Sequence, residues 1–144
     1  MTVRTAFAAA AATLALSGCA TTSVPHPLAG TEWSLIAIDT SGSTTTLTPL
    51  LQQRHTVSFG MDGETTLQLD CNRGRSTWTA GQAMSGAGTI AIGPVASTRM
   101  ACPDPSFGTE LARLSEATRF TRTLDERQLV IETPTLRYTF APVI

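Results

Sequence analysis

Lysine is missing altogether: all ten basic residues are arginine, set against eleven acidic ones for a formal net charge of -1. Charged residues make up only 15% of the chain, and the arginines are scattered. Nucleic-acid binders concentrate positive charge in a patch or stripe, so no nucleic-acid partner is expected. Aromatics are few, at 6%, and there are only two histidines and three cysteines. None of the cysteines forms a close C-x₂-C pair, which argues against a zinc centre, and no metal or other cofactor is expected. Also absent are a G-x-S-x-G elbow, a phosphate loop, H-E-x-x-H and G-x-G-x-x-G. No continuous apolar stretch reaches the roughly 20 residues that a membrane-spanning helix needs. What remains is a hydrophobic content of 42% with abundant threonine and serine in 144 residues. That describes one folded domain, more β than helical.

The N-terminus reads as an address. A short start carrying Arg4 leads into Ala6–Leu16, apolar except for Thr13, and the run ends in Leu16-Ser17-Gly18-Cys19. An aliphatic residue, two small residues and a cysteine resemble the lipobox read by lipoprotein signal peptidase. There the cysteine sulfur takes a diacylglyceryl group and then becomes the new N-terminus. Residues 1–18 are therefore expected to be a signal peptide, with Cys19 the lipidation site anchoring the chain to a membrane. Ala20 follows; by resemblance to Gram-negative sorting, a residue other than Asp there implies the outer membrane, facing the periplasm. Residues 19–29 read as the lipidated cysteine and a flexible, proline-containing tether, with His26 a linker residue.

From residue 30 to 144 the pattern is mainly β. Trp33, Leu35 and Ala37 alternate with polar residues, and the chain turns apolar on both faces at Ile36 and Ile38. Ser41–Thr46 reads as a loop or hairpin tip. His55, Val57 and Phe59 share one face of the next strand. Asp62-Gly63 is a tight hairpin signal, followed by Leu67, Leu69 and Cys71 on one face. Strands around Trp78, Ile90–Ile92, Phe120, Leu129–Ile131 and Leu136–Phe140 complete the pattern, with a glycine-rich turn over 81–88. One stretch departs from it: Asp104-Pro105 resembles a helix start, and Phe107, Leu111, Leu114 and Thr118 recur at helical spacing. About 7–8 short strands with one short helix predict a small closed antiparallel barrel or a sandwich.

With Cys19 lipidated, Cys71 and Cys102 remain as a pair in an oxidising compartment. A disulfide closing a loop of about thirty residues is expected, in preference to a zinc site with His55 or Asp70. It would bring together Asn72 and Arg73 with Thr98 and Arg99 as a polar patch. That patch could take an anion on the arginine forks. The preferred reading of the same residues is a scaffold role, Asn72 closing a turn and Arg99 pairing with a carboxylate, because the fork serves structural ion pairs as readily as ligands. His55 is expected to be a hydrogen-bonded core residue, since a catalytic triad needs two further partners. Asp70 reads as exposed on a strand face, Asp62 as a turn former, and Asp125-Glu126 as a solvated turn.

Gly30-Thr31-Glu32-Trp33, Cys71-Asn72-Arg73 and the block from Gly93 through Thr98-Arg99-Met100-Ala101-Cys102-Pro103 together resemble the META domain of the heat-inducible, HslJ-like bacterial lipoproteins. The resemblance covers about residues 30–142. It implies a β-barrel of lipocalin-like topology in an envelope lipoprotein, with no family catalytic residues to carry over. Heat induction, drug tolerance, motility and virulence are the associations it brings. Arg75 and Trp78 depart from the tyrosine- and glycine-rich segments common there. The expected function is a non-enzymatic binding or stress-tolerance factor in the envelope, monomeric, with an envelope protein or a small ligand as partner. Two alternatives are an inhibitor of a periplasmic or host hydrolase, and a small-ligand carrier. The carrier would have a cavity lined by residues such as Trp33, Val57, Leu69 and Tyr138.

Overall fold

A computed structural model of the chain describes residues 23–123 and 125–143. The leader, the lipobox and Cys19 lie outside the described residues. Ten strands form: β1 (Thr31–Thr40), β2 (Ser43–Thr46), β3 (His55–Phe59), β4 (Glu64–Leu69), β5 (Asn72–Ala80), β6 (Ala87–Ile92), β7 (Ala96–Ser97), β8 (Arg119–Arg122), β9 (Leu129–Glu132) and β10 (Arg137–Pro142). Helices α1 (Pro49–Gln52) and α2 (Gly108–Ala112) are short, and a 3-10 turn at Arg113–Glu116 continues α2. The strands run antiparallel in the order β10-β9-β8-β6-β5-β4-β3-β1, and β10 pairs back onto β1. Eight strands thus close a barrel, as expected, and closure removes the open edges of the sheet. β2 and β7 pair further along β1 and β5, on the edges that β3 and β6 occupy elsewhere.

Period-two alternation fills the interior. Trp33, Val57, Phe59, Leu67, Leu69, Phe120, Ile131, Tyr138 and Phe140 are all buried. The double-faced apolar stretch of β1 has a cause: the β1–β10 register shifts between Leu35 and Ala37. The extra residue swaps the buried face, so Trp33 and Leu35 point inward before it and Ile38 after it. Ser43–Thr46, read as a loop or hairpin tip, instead pairs along β1 as β2.

Three expectations are corrected. The helix begins at Gly108, after Phe107, not at Asp104-Pro105, which lies in the preceding loop. Its seat requires glycine: a Cβ on Gly108 would lie 2.6 Å from the Leu69 carbonyl oxygen. Cys71 occupies the turn between β4 and β5 rather than a strand face. Finally, the folded domain starts before residue 30. Leu28 is fully buried, His26 Nε2 lies 3.0 Å from the Gly81 carbonyl oxygen, and the His26 ring packs edge-on against Trp78 and Phe120. Arg122 donates to the Pro27 carbonyl at 2.6 Å from above the Trp33 ring. His26 is therefore a docking residue, hidden from sequence reading because its partners lie more than fifty positions away.

Candidate functional site

The barrel has two distinct ends. At one, the β4–β5 turn carries Cys71, which is joined to Cys102 with the Cα atoms 5.6 Å apart. The bond secures the segment between β7 and α2, and Asn72 reinforces it. Asn72 Nδ2 donates to the Met100 carbonyl at 2.9 Å. Its Oδ1 accepts from the Thr98 hydroxyl at 3.0 Å and from the Met100 amide at 2.7 Å. Arg73 and Thr98 exchange further bonds: Thr98 N–H donates to the Arg73 carbonyl, and Arg73 N–H donates to the Thr98 side-chain Oγ1. Asn72 and Thr98 are thus occupied in holding backbone to backbone.

Arg73 and Arg99 differ from them. Both are exposed, and neither forms an ion pair among the described residues, so their guanidinium forks face solvent. Arg99 lines a groove of about 670 Å³ together with Thr98, Met100, Asp104 and Thr109, floored by Leu69 and Val95. The sequence-predicted patch is therefore assembled by the disulfide, with two members as latch and two as free cations.

The remaining candidates are structural. His55 is fully buried. Its Nδ1 lies 2.6 Å from the Leu51 carbonyl oxygen, and its Nε2 accepts from the Phe107 amide at 3.0 Å. Nδ1 must therefore carry the proton, and the ring joins β3, α1 and the loop entering α2, with no nitrogen left for proton transfer. Asp70 is corrected from exposed to buried: it takes a positive φ of 63° in the β4–β5 turn and pairs with Arg54 at 3.2 Å. Asp62 does form its turn, accepting from the Glu64 amide. Asp125 caps the turn after β8, and hydrogen bonds from the Thr123 hydroxyl and the Arg127 amide hold its carboxyl below the usual range. The Arg113 guanidinium does the same for Glu116 beside α2. Burial pushes the Tyr138 phenol well up while it donates to the Glu110 carbonyl at 2.7 Å. Among the described residues no group of three or more His, Cys, Asp or Glu could hold a metal ion.

Trp33, Val57, Leu69 and Tyr138 are at most 3% exposed and pack against one another as core, not as the lining of a ligand chamber.

The family model of the META domain matches residues 26–142. It starts at His26, where the folded domain itself begins. No curated protein matches. A protein from Burkholderia xenovorans solved by NMR is 20% identical, covering 81% of this chain and 83% of its own, with a TM-score of 0.64. A crystal structure of a DUF4847 family protein from Bacteroides vulgatus is 15% identical over 80% of this chain and 94% of its own, with a TM-score of 0.54. At these identities the two structures show a shared fold.

Proposed function

This chain belongs to the META domain family, and from that premise we propose that it is a lipid-anchored, non-enzymatic binding protein of the bacterial envelope. The family and the barrel fit a non-enzymatic envelope protein. In the finer reading, Cys19 carries the acyl anchor in the outer membrane, and the contact surface is the stapled loop with its groove. The observation that carries it is the preorganised segment Thr98–Cys102. It is largely exposed, yet held by a disulfide and by three hydrogen bonds with one asparagine, which donates one and accepts two. A loop ordered in advance does not have to lose that freedom on binding, a cost of about 0.5–1.5 kcal/mol for each side chain immobilised. The forks of Arg73 and Arg99 beside it suit a carboxylate or other anionic group on the partner.

A second reading has its own support: an exposed loop pinned by a disulfide is also how a small protein inhibits a hydrolase. The filled interior weighs against the small-ligand carrier.

Site-specific photocrosslinking in intact cells tests the proposal, with the crosslinker placed at Met100 and, as control, at Thr79 on the barrel wall. A discrete adduct from position 100, lost on Arg99→Glu and absent from position 79, is the expected result. Adducts of equal pattern from both positions would refute the assigned surface. If the position-100 adduct proves to be an envelope hydrolase whose activity falls on binding, the inhibitor reading replaces the broader one.

A further inference from the structure

The end of the barrel opposite the disulfide gathers the start of β1, the β3–β4 turn, the β5–β6 loop, the β8–β9 turn and the end of β10. Solvent-exposed large apolar side chains collect there. Met61 in the β3–β4 turn is 70% exposed, Met84 in the β5–β6 loop 79%, and Val24 and Val143 also face solvent. The other two among the described residues, Leu50 and Met100, lie towards the disulfide end. The chain enters the fold at this same apolar end. His26, Pro27 and Leu28 are clamped there by Gly81, Trp78, Phe120 and Arg122.

We infer that this end lies against the lipid headgroup layer, with Met61, Met84 and Val143 entering the interface and the stapled loop held away from the membrane. The inference rests on the reading that Cys19 is acylated. Residues 19–25 can span at most about 25 Å even when fully extended. The clamp at His26 means the tether cannot lengthen without breaking folded contacts. The disulfide end is farther by the length of the strands, about 20 Å for the six residues of β4. At the apolar end acidic Glu32, Asp62, Glu64, Asp125 and Glu126 outnumber basic Arg122 and Arg127, with Arg122 paired to Glu126, so no excess of positive charge draws it to anionic lipid. Contact is then apolar, and it persists at high salt.

The native methionines report on this without substitution. Full-length chain, expressed with ¹³C-methyl methionine and purified from membranes, is reconstituted in nanodiscs of phosphatidylethanolamine and phosphatidylglycerol containing a gadolinium-chelate lipid. Intact mass is measured on the same sample. The expected result is an acylated mass, with the Met61 and Met84 methyl signals losing most of their intensity at low and high salt and the Met100 signal retained. An acylated chain with all three methyls attenuated alike, or none attenuated, overturns the orientation and leaves the anchor standing. An unacylated mass overturns the anchor and the orientation together.

Discussion

Removing the staple with Cys71→Ala/Cys102→Ala perturbs the fold and the candidate site at one point. The two cysteines are 31 residues apart. Loop-closure entropy for a ring of that size corresponds to about 4 kcal/mol at 25 °C. Set against the roughly 5–15 kcal/mol that holds an ordinary domain together, that is a large share. The released loop would still have the Asn72 bonds, which contribute on the order of 1–2 kcal/mol at a half-buried position. The two contributions are coupled, because the disulfide sets the distance over which Asn72 acts. Asn72→Ala should therefore cost about 1–2 kcal/mol in the stapled protein and clearly less without the staple. Urea titration monitored by tryptophan fluorescence measures all four forms. The chains without the staple should show a lower midpoint and a steeper slope, since an uncrosslinked unfolded state exposes more surface. A loss below about 1 kcal/mol on removing the disulfide would refute the entropic account. An Asn72→Ala cost unchanged by the staple would refute the coupling.

Alkaline pH isolates Tyr138. Its phenol is raised by burial, whereas an unfolded tyrosine ionises near pH 10. Above about pH 10 the native state therefore binds one more proton than the unfolded state, and stability should fall by about 1.4 kcal/mol per pH unit until the native phenol ionises. With no lysine and no second tyrosine in the chain, Tyr138→Phe should flatten that slope in urea midpoints between about pH 10 and 12; an unchanged slope contradicts the assignment. Gly108→Ala should destabilise by about 1–3 kcal/mol in thermal or urea melts, because its Cβ meets the Leu69 carbonyl; a neutral effect would mean that α2 is not seated on β4. His55→Ala should cost about 2–4 kcal/mol by leaving the Leu51 carbonyl and Phe107 amide without partners, and His55→Gln should recover part of it; an alanine variant as stable as the parent refutes the role.

Closure of the barrel was legible because alternation is local: His55, Val57 and Phe59, or Leu129 and Ile131, declare their face within five residues. The staple was legible from the cysteine count together with the expected oxidising compartment. What the sequence hid depends on contacts between distant positions. His26 looks like linker until Gly81, Trp78 and Phe120 are beside it. Asp70 looks exposed until the turn swings it under Arg54. The helix start misled because Asp-Pro resembles a cap, while the actual limit is the close approach of Gly108 to β4. Within the candidate patch, residue type pointed to Asn72, Arg73, Thr98 and Arg99 as one group. Only geometry separates the two that hold the loop from the two that face solvent.

The proposed contact lies outside a filled barrel, at the stapled end. Its most direct test is an amide and methyl NMR titration of the ¹⁵N,¹³C-labelled domain with the partner captured by crosslinking at position 100. Shifts confined to residues 72–73 and 97–109, with the Leu35, Ile131 and Leu129 methyls unmoved, are the predicted result. Shifts centred on those interior methyls would contradict it and place the site inside the barrel.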